Sequence, residues 1–403
     1  MRYDVLISGA GVVGLATALQ LARSNPRLRI AVLEKEDRVA AHQSSRNSGV
    51  IHSGIYYRPG SLRAVNCKKG YDLLLRFCRE HGVPHEICGK IIVATDENER
   101  AALRGIYERG LENGLSGIKW ISGAEAKKIE PHVFAKEAVW VPQAGIVDYG
   151  AVARKYAEII QQSGVELALN SRVERFRKDS RGVVVTDANG KDWQGHVFVN
   201  CTGLYSDRTA RLTGERPPVQ ILPFRGEYYE LAPSAEHLVR NLIYPVPNPH
   251  FPFLGVHFTR MVGGGIEAGP NAVLAFRREG YSKWDIHWRE LFETLAFSGF
   301  RKIARKYWRD GWAEMQRSYS KSHFLRALQR LVPALGPDDI HPGRSGVRAM
   351  ACDASGNLLD DFLILDSPRV VNVCNAPSPA ATASLAIGQT VAEHVIAIHS
   401  CYS

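Results

Sequence analysis

The chain contains no run of about 18 uncharged apolar residues, the length that marks a membrane-crossing helix. Its nearest approach, Val5 to Leu21, imitates the apolar core of a secretory leader, but spaced glycines at Gly9, Gly11 and Gly14 fit a strand and a turn instead. We therefore expect neither a membrane span nor a cleaved leader, and a cytoplasmic protein. Cysteine is sparse: seven, an odd number, lie at long intervals with no C-x-x-C pair, which excludes a disulfide framework and suggests reduced thiols. The fourteen histidines include no H-E-x-x-H spacing, so no metal site is expected. Internal repeats and low-complexity tracts are absent too. Acidic residues fall short of basic ones, 41 against 51, and the net charge of +10 favours anionic partners. No nucleic-acid module accompanies that charge, which leaves an anionic small molecule or an anionic membrane surface. At 403 residues, 45% of them apolar, two soluble domains are expected.

What is present begins at once. Tyr3 to Ser8 is a short apolar run suited to a buried parallel strand, and Gly9-Ala10-Gly11-Val12-Val13-Gly14 follows it as G-x-G-x-x-G. An Ala/Leu-rich helix from Leu15 to Ala22 and a second strand, Arg29 to Leu33, complete a βαβ unit ending in Glu34. The first glycine permits the tight turn, the second lets backbone approach a pyrophosphate, and the third lets helix pack on strand. Free N–H groups and the dipole at the helix start favour the anion, while Glu34 stands where a carboxylate accepts the ribose hydroxyls. A glycine-rich turn alone is common, but strand, helix and Glu34 together specify a dinucleotide. NAD and FAD both remain open at this point.

Three further segments narrow the choice. Ala41 to Tyr57 is polar and glycine-rich, and contains Asn47-Ser48-Gly49-Val50-Ile51-His52. Val197 to Gly203 reads as a strand running into Thr202-Gly203. Val370 to Asn375 is a strand leading through Ala376-Pro377-Ser378-Pro379 into a helix from about Ala380 to Ile398, with Ser378 as N-cap and Pro379 in the first turn. With Cys88-Gly89-Lys90, Pro223 to Tyr228, Pro252 to His257, Gly269-Pro270-Asn271-Ala272 and Gly346-Val347-Arg348-Ala349, these motifs resemble the D-amino-acid-oxidase-like superfamily of flavoenzymes across nearly the whole chain. The likeness is greatest to its L-2-hydroxyglutarate-oxidising branch. Arg46 is a departure, standing where members often carry His or a smaller residue.

The resemblance implies an α/β fold: a Rossmann-like FAD domain assembled from residues 1–84, 146–215 and 341–403, and a mainly antiparallel substrate domain from 85–145 and 216–340. The sequence agrees in reading strands over Gly182 to Gly190, Arg225 to Leu231 and Phe253 to Phe258. Arg277 to Leu331 should be helical and is rich in Arg, Lys and Trp. Its stretch Arg301 to Arg309 suits an anionic membrane interface as well as it suits a solvated basic face over an aromatic core.

For function, the resemblance implies hydride transfer from the α-carbon of a hydroxy acid to flavin N5, with electrons passed to a membrane quinone or to oxygen. The cofactor-binding residues implied are Gly9, Gly11, Val13, Gly14, Glu34, Ser45, Ser48, Gly49, Thr202, Gly203, Ser378, Pro379 and Ala380. The helix start near Ser378 would face the flavin edge that gathers negative charge. A base must remove the hydroxyl proton, and imidazole titrates near working pH; His52 and His257 are both candidates. A dicarboxylate substrate needs two clamps. Arg348 and Arg225 are the leading residues, because guanidinium matches a carboxylate fork, with Tyr228 and Lys90 behind them. An amine or amino-acid oxidase of the same fold, or a non-catalytic flavin-containing binding protein, would use many of the same groups.

Overall fold

A computed structural model describes residues 2–248 and 253–402. Arg2–Ser8 forms the first strand, Val12–Ser24 the helix after the glycine turn, and Ile30–Leu33 a parallel return strand with Val5 opposite Ile30. Around this unit grows an eight-stranded sheet. Glu166–Ala168 joins one side; Asp192–Asn200 joins the other and carries Val370–Asn375 beyond it, all parallel. The inner strands are buried on both faces, which is why they read as continuous apolar runs. The C-terminal helix, Ser384–Ser400, crosses Val12–Ser24 so closely that a Cβ on Gly388 would lie 2.7 Å from the Ala16 carbonyl carbon. Both chain ends thus build one layer.

That helix begins later than the sequence suggests. Ala383 is its cap and Ser378-Pro379 belong to a preceding turn, closed by Ala380 N–H to the Pro377 carbonyl and Ala383 N–H to the Pro379 carbonyl. Two prolines lacking N–H groups break the spacing of a regular helix there, so Ser378 does not cap it.

The second sheet has nine strands and is antiparallel except where Lys90–Ala94 pairs with Leu242–Pro245. Next to Leu242–Pro245 come His257–Arg260, Ile266–Gly269, Val219–Leu231 and Ile340–Asp353. The last of these, expected within the third cofactor segment, pairs along Val219–Leu231 and so ties that segment to the second sheet. One face, with Ile91, Val93, Ile243, Phe258 and Ala268, packs on the helix Lys321–Gln329 through Phe324, Leu325 and Leu328. Alternation sends the neighbours of these residues to the other face. The expected strand over Phe253 to Phe258 starts only at His257, whose ring bonds the Gly255 carbonyl; Pro252 lies outside the described residues.

Within 277–331, Trp288–Ala296, Ser298–Lys306, Trp308–Tyr319 and Lys321–Gln329 are helices, whereas residues before Trp288 are irregular. Four tryptophans that could have formed an aromatic core are instead exposed: Trp284 (79%), Trp288 (75%), Trp308 (62%) and Trp312 (65%). No helix among the described residues is long and apolar enough to cross a membrane.

Candidate active site

A single cavity of about 1830 Å³ runs from the glycine turn to the second sheet. It exceeds the roughly 300–1,000 Å³ of a site for one small ligand, and suits a dinucleotide with a substrate at its end.

At the turn, Gly9 has φ +102°, and a Cβ there would lie 2.5 Å from the Cys201 carbonyl oxygen. Gly14 is equally constrained by the Gly9 carbonyl oxygen, 2.0 Å from where its Cβ would be; its role is packing, and it does not line the cavity. Gly11 is open: its Cβ would meet only the Ser44 hydroxyl, 3.0 Å away. Glu34 is buried, its carboxylate accepting the Ala10 N–H at 2.7 Å and the Glu36 N–H at 3.0 Å. Val13, Thr202, Gly203, Ser48, Ser378, Pro379 and Ala380 also line the cavity. These groups fit FAD: close backbone, an acceptor for ribose hydroxyls and a helix start.

Ser45 is not on the cavity wall. Its hydroxyl donates to the Ala40 carbonyl at 2.6 Å, and its neighbour Ser44 faces the cavity, accepting the Val12 N–H at 3.0 Å. Gly49 (φ +67°) is likewise behind the wall, where its conformation shapes the loop. Arg344, which sequence reasoning missed, fixes this loop: it donates to the carbonyls of Ser45 (3.0 Å) and Asn47 (2.8 Å) and pairs with Glu267. Arg46 lines the cavity and lies over the Tyr281 ring, 4.1 Å from its centroid. Glu36, His42 and Glu279 bring possible ligand atoms within 4.8 Å of one another, but the Lys35 ammonium already pairs with both carboxylates, 2.8 Å from Glu279, and offsets part of their charge.

At the far end the second sheet's free face decides which residues meet. Phe224 pairs with Arg348 and Arg225 with Val347, and cross-strand partners share a face. Of the two arginines, on opposite faces, Arg348 lines the cavity and Arg225 does not. The Arg225 guanidinium is spent elsewhere, on Glu227 (2.9 and 3.1 Å) and the Ser282 carbonyl (2.8 Å), and the cavity wall does not include it. Arg225 is thus not brought to the site with Arg348. Tyr228, Tyr244, Tyr56, Tyr57, Arg63, His52 and His257 are. No described carboxylate pairs with Arg348, which lies 5.8 Å from the Phe253 ring centroid.

His257 Nδ1 is 2.9 Å from the Gly255 carbonyl oxygen. A carbonyl only accepts, so Nδ1 carries the proton and Nε2 keeps its lone pair. The ring stacks on Tyr244, centroids 3.9 Å apart. Burial, with the charges of Arg348 and Lys90, pushes its pKa down to about 3. His52, surrounded by protein and open only toward the cavity, is lowered to about 3 by burial and then by Lys90, Arg63 and His257. Its backbone is anchored: the N–H donates to Thr382 Oγ1 at 3.1 Å, while Tyr149 bonds both Thr382 (2.6 Å) and the Val50 carbonyl (3.0 Å). Lys90 is 1% exposed and lies between the rings of Tyr56 and Tyr244.

Comparison with known proteins identifies the family. Residues 4–394 match the family model described as FAD dependent oxidoreductase, DAO. The chain belongs to that family. It is an FAD-dependent oxidoreductase, and FAD is its cofactor. It is 50% identical over 394 residues to L-2-hydroxyglutarate dehydrogenase of Indibacter alkaliphilus, covering 98% of each chain. With the protein of that name from Escherichia coli identity is 42%, covering 98% of this chain and 93% of the other. Among solved structures, the L-alpha-glycerophosphate oxidase of Mycoplasma pneumoniae with FAD bound superposes with a TM-score of 0.80 at 24% identity, covering 99% of this chain and 95% of the other. That likeness concerns the fold.

Proposed function

We propose that this protein oxidises L-2-hydroxyglutarate to 2-oxoglutarate. The observation that carries the reading is the juxtaposition, on one cavity wall, of Arg348 without a described carboxylate partner and His257 with Nε2 left as an acceptor. The names of the relatives at 42–50% identity support the substrate. Bound FAD would supply the two-electron acceptor for the Cα hydride. Arg348 grips the C1 carboxylate through its planar fork and orients Cα–H. His257 Nε2 takes the hydroxyl proton as the carbonyl forms, and His52 is the alternative base. An imidazole held at about 3 by burial, and further by two cations, is a weak base. A dianionic substrate offsets Arg348 and Lys90 and so raises His257 when its proton affinity is needed. The start of the helix Ser384–Ser400, with the turn at Ser378, Pro379 and Ala380, offsets negative charge gathering on the cofactor. The division into residues 1–84, 146–215 and 341–403 for FAD and 85–145 and 216–340 for substrate belongs to the same reading, with Ile340–Asp353 serving both.

The test is anaerobic addition of L- and D-2-hydroxyglutarate, glutamate, sarcosine and glycine to purified protein while flavin absorbance is followed. Bleaching by the L-hydroxy acid is expected. Bleaching by an amino acid alone would make the protein an amine or amino-acid oxidase, and bleaching by none would leave a flavin-containing binding protein.

Electrons then pass to a membrane quinone or to oxygen. The exposed tryptophans favour the membrane, with the protein held peripherally on an anionic surface through them and through Arg301, Lys302, Arg305 and Lys306. Salt-sensitive binding to anionic vesicles, weakened when those four residues are neutralised together, is the expected result. Equal binding to neutral vesicles would remove the electrostatic basis.

A further inference from the structure

An ammonium buried without an acid needs an explanation, because removing a charge from water is costly unless a partner compensates. Lys90 is such a group. Its Nζ lies 4.5 Å from the Tyr56 ring centroid and 4.7 Å from that of Tyr244, and the side chain is 1% exposed. Among the described residues no carboxylate pairs with it. The one group whose charge would favour the ammonium is Cys67, and burial holds that thiol up to about 12, hence protonated and neutral. Two aromatic faces recover part of the lost hydration, since ring quadrupoles attract a cation.

The sheet register places this lysine directly behind the site: it does not itself line the cavity, but Tyr56 and Tyr244, whose rings it contacts, do. Ile243 pairs with Ile91 and Tyr244 with Ile92, so Lys90, two residues before Ile92, shares the face of Tyr244. His257 lies against Tyr244 from the next strand, and its titration responds to both Arg348 and Lys90. We propose that Lys90, caged by Tyr56 and Tyr244, is the specificity-determining residue that receives the distal carboxylate of a five-carbon diacid, opposite the Arg348 clamp. The inference rests on the reading above, and it replaces Arg225, which does not line the cavity and is engaged by Glu227.

The groups around the ammonium are the phenols of Tyr56 and Tyr244, the thiol of Cys67 and the imidazoles of His52 and His257. Both phenols and the thiol are raised by burial and both imidazoles are lowered, so all are neutral near pH 7. Burial brings Lys90 itself down to about 7. It is thus charged below neutrality and loses its charge as pH rises, and affinity for a distal carboxylate should fall in that direction.

The experiment compares ligands that differ only in that carboxylate. Calorimetry on the wild-type holoenzyme, with glutarate and with butyrate, should show glutarate binding weaken by up to about tenfold per pH unit above neutrality while butyrate binding stays level. Stopped-flow flavin reduction in Lys90→Gln, by L-2-hydroxyglutarate and by L-2-hydroxyvalerate, should show the preference for the diacid reduced by roughly 10–100-fold, the loss of one charge-assisted hydrogen bond. Parallel pH profiles for the two acids, or an equal fall with both substrates in Lys90→Gln, would overturn the assignment. Failure of L-2-hydroxyglutarate to bleach the wild-type protein would instead overturn the proposed reaction, and the glutarate and butyrate titrations would still report on the clamp.

Discussion

The two ends of the cavity are built in different ways. The dinucleotide end is largely local: Gly9 to Glu34 supply the turn, the helix start and the ribose acceptor within one βαβ unit, and the chemistry is mostly backbone. The far end is side chain throughout, and the groups on its wall come from residues 52 to 63, 228, 244, 257 and 348, with Lys90 behind them, brought together by sheet pairing. Backbone sites are disabled by adding atoms. Side-chain sites are disabled by changing direction or charge.

The largest effect should follow from adding bulk to the first end. Gly11 meets only Ser44 Oγ, so Gly11→Leu is expected to fold normally and to lose FAD altogether as its side chain fills the space for the pyrophosphate. Circular dichroism and the flavin-to-protein absorbance ratio check this; full FAD content would break the contrast. Next, Arg348→Lys keeps the charge but not the fork, and flavin reduction at saturating L-2-hydroxyglutarate should slow by about 100-fold. An unchanged rate in stopped-flow would remove Arg348 from the reacting end.

Arg225→Gln sharpens the comparison from the opposite side. Breaking its pair with Glu227 inside the protein should cost about 3–5 kcal/mol of stability, seen in denaturant unfolding, with half-saturation by L-2-hydroxyglutarate unaltered. A raised half-saturation with normal stability would restore it as a clamp. The smallest effect concerns pH. His52 and His257 sit at about 3 in the folded protein against an ordinary 6.5, so below 6.5 the unfolded chain binds more protons and stability falls as pH drops from 6.5 toward 3. In His257→Gln that acid loss should shrink, narrowing the difference in Tm between about pH 7.5 and pH 5 by a few degrees. A wild-type difference in the variant would mean that His257 is not held neutral by the fold.

Particular residues show where sequence reading reached and where it stopped. The strand, turn and helix at the N-terminus were legible because strict steric demands, such as the Gly9 backbone against Cys201, are met by glycine at fixed spacing. Ser45 was chosen over Ser44 because adjacent hydroxyls look alike until the loop's fold turns one inward. Ser378 looked like a helix cap because the composition fits, but the turn's hydrogen bonds delay the helix to Ser384. Arg344 gave no signal, as its partners Ser45, Asn47 and Glu267 are distant in sequence.

By itself the sequence determined the cofactor end and the family, since those depend on contiguous backbone geometry and on ordered motifs along nearly the whole chain. Only the tertiary structure parted Arg225 from Arg348 and brought Lys90 and His257 to the same Tyr244 ring. In a sheet, alternate residues face opposite sides, so the pairing of strands far apart in the chain selects which charges share a cavity.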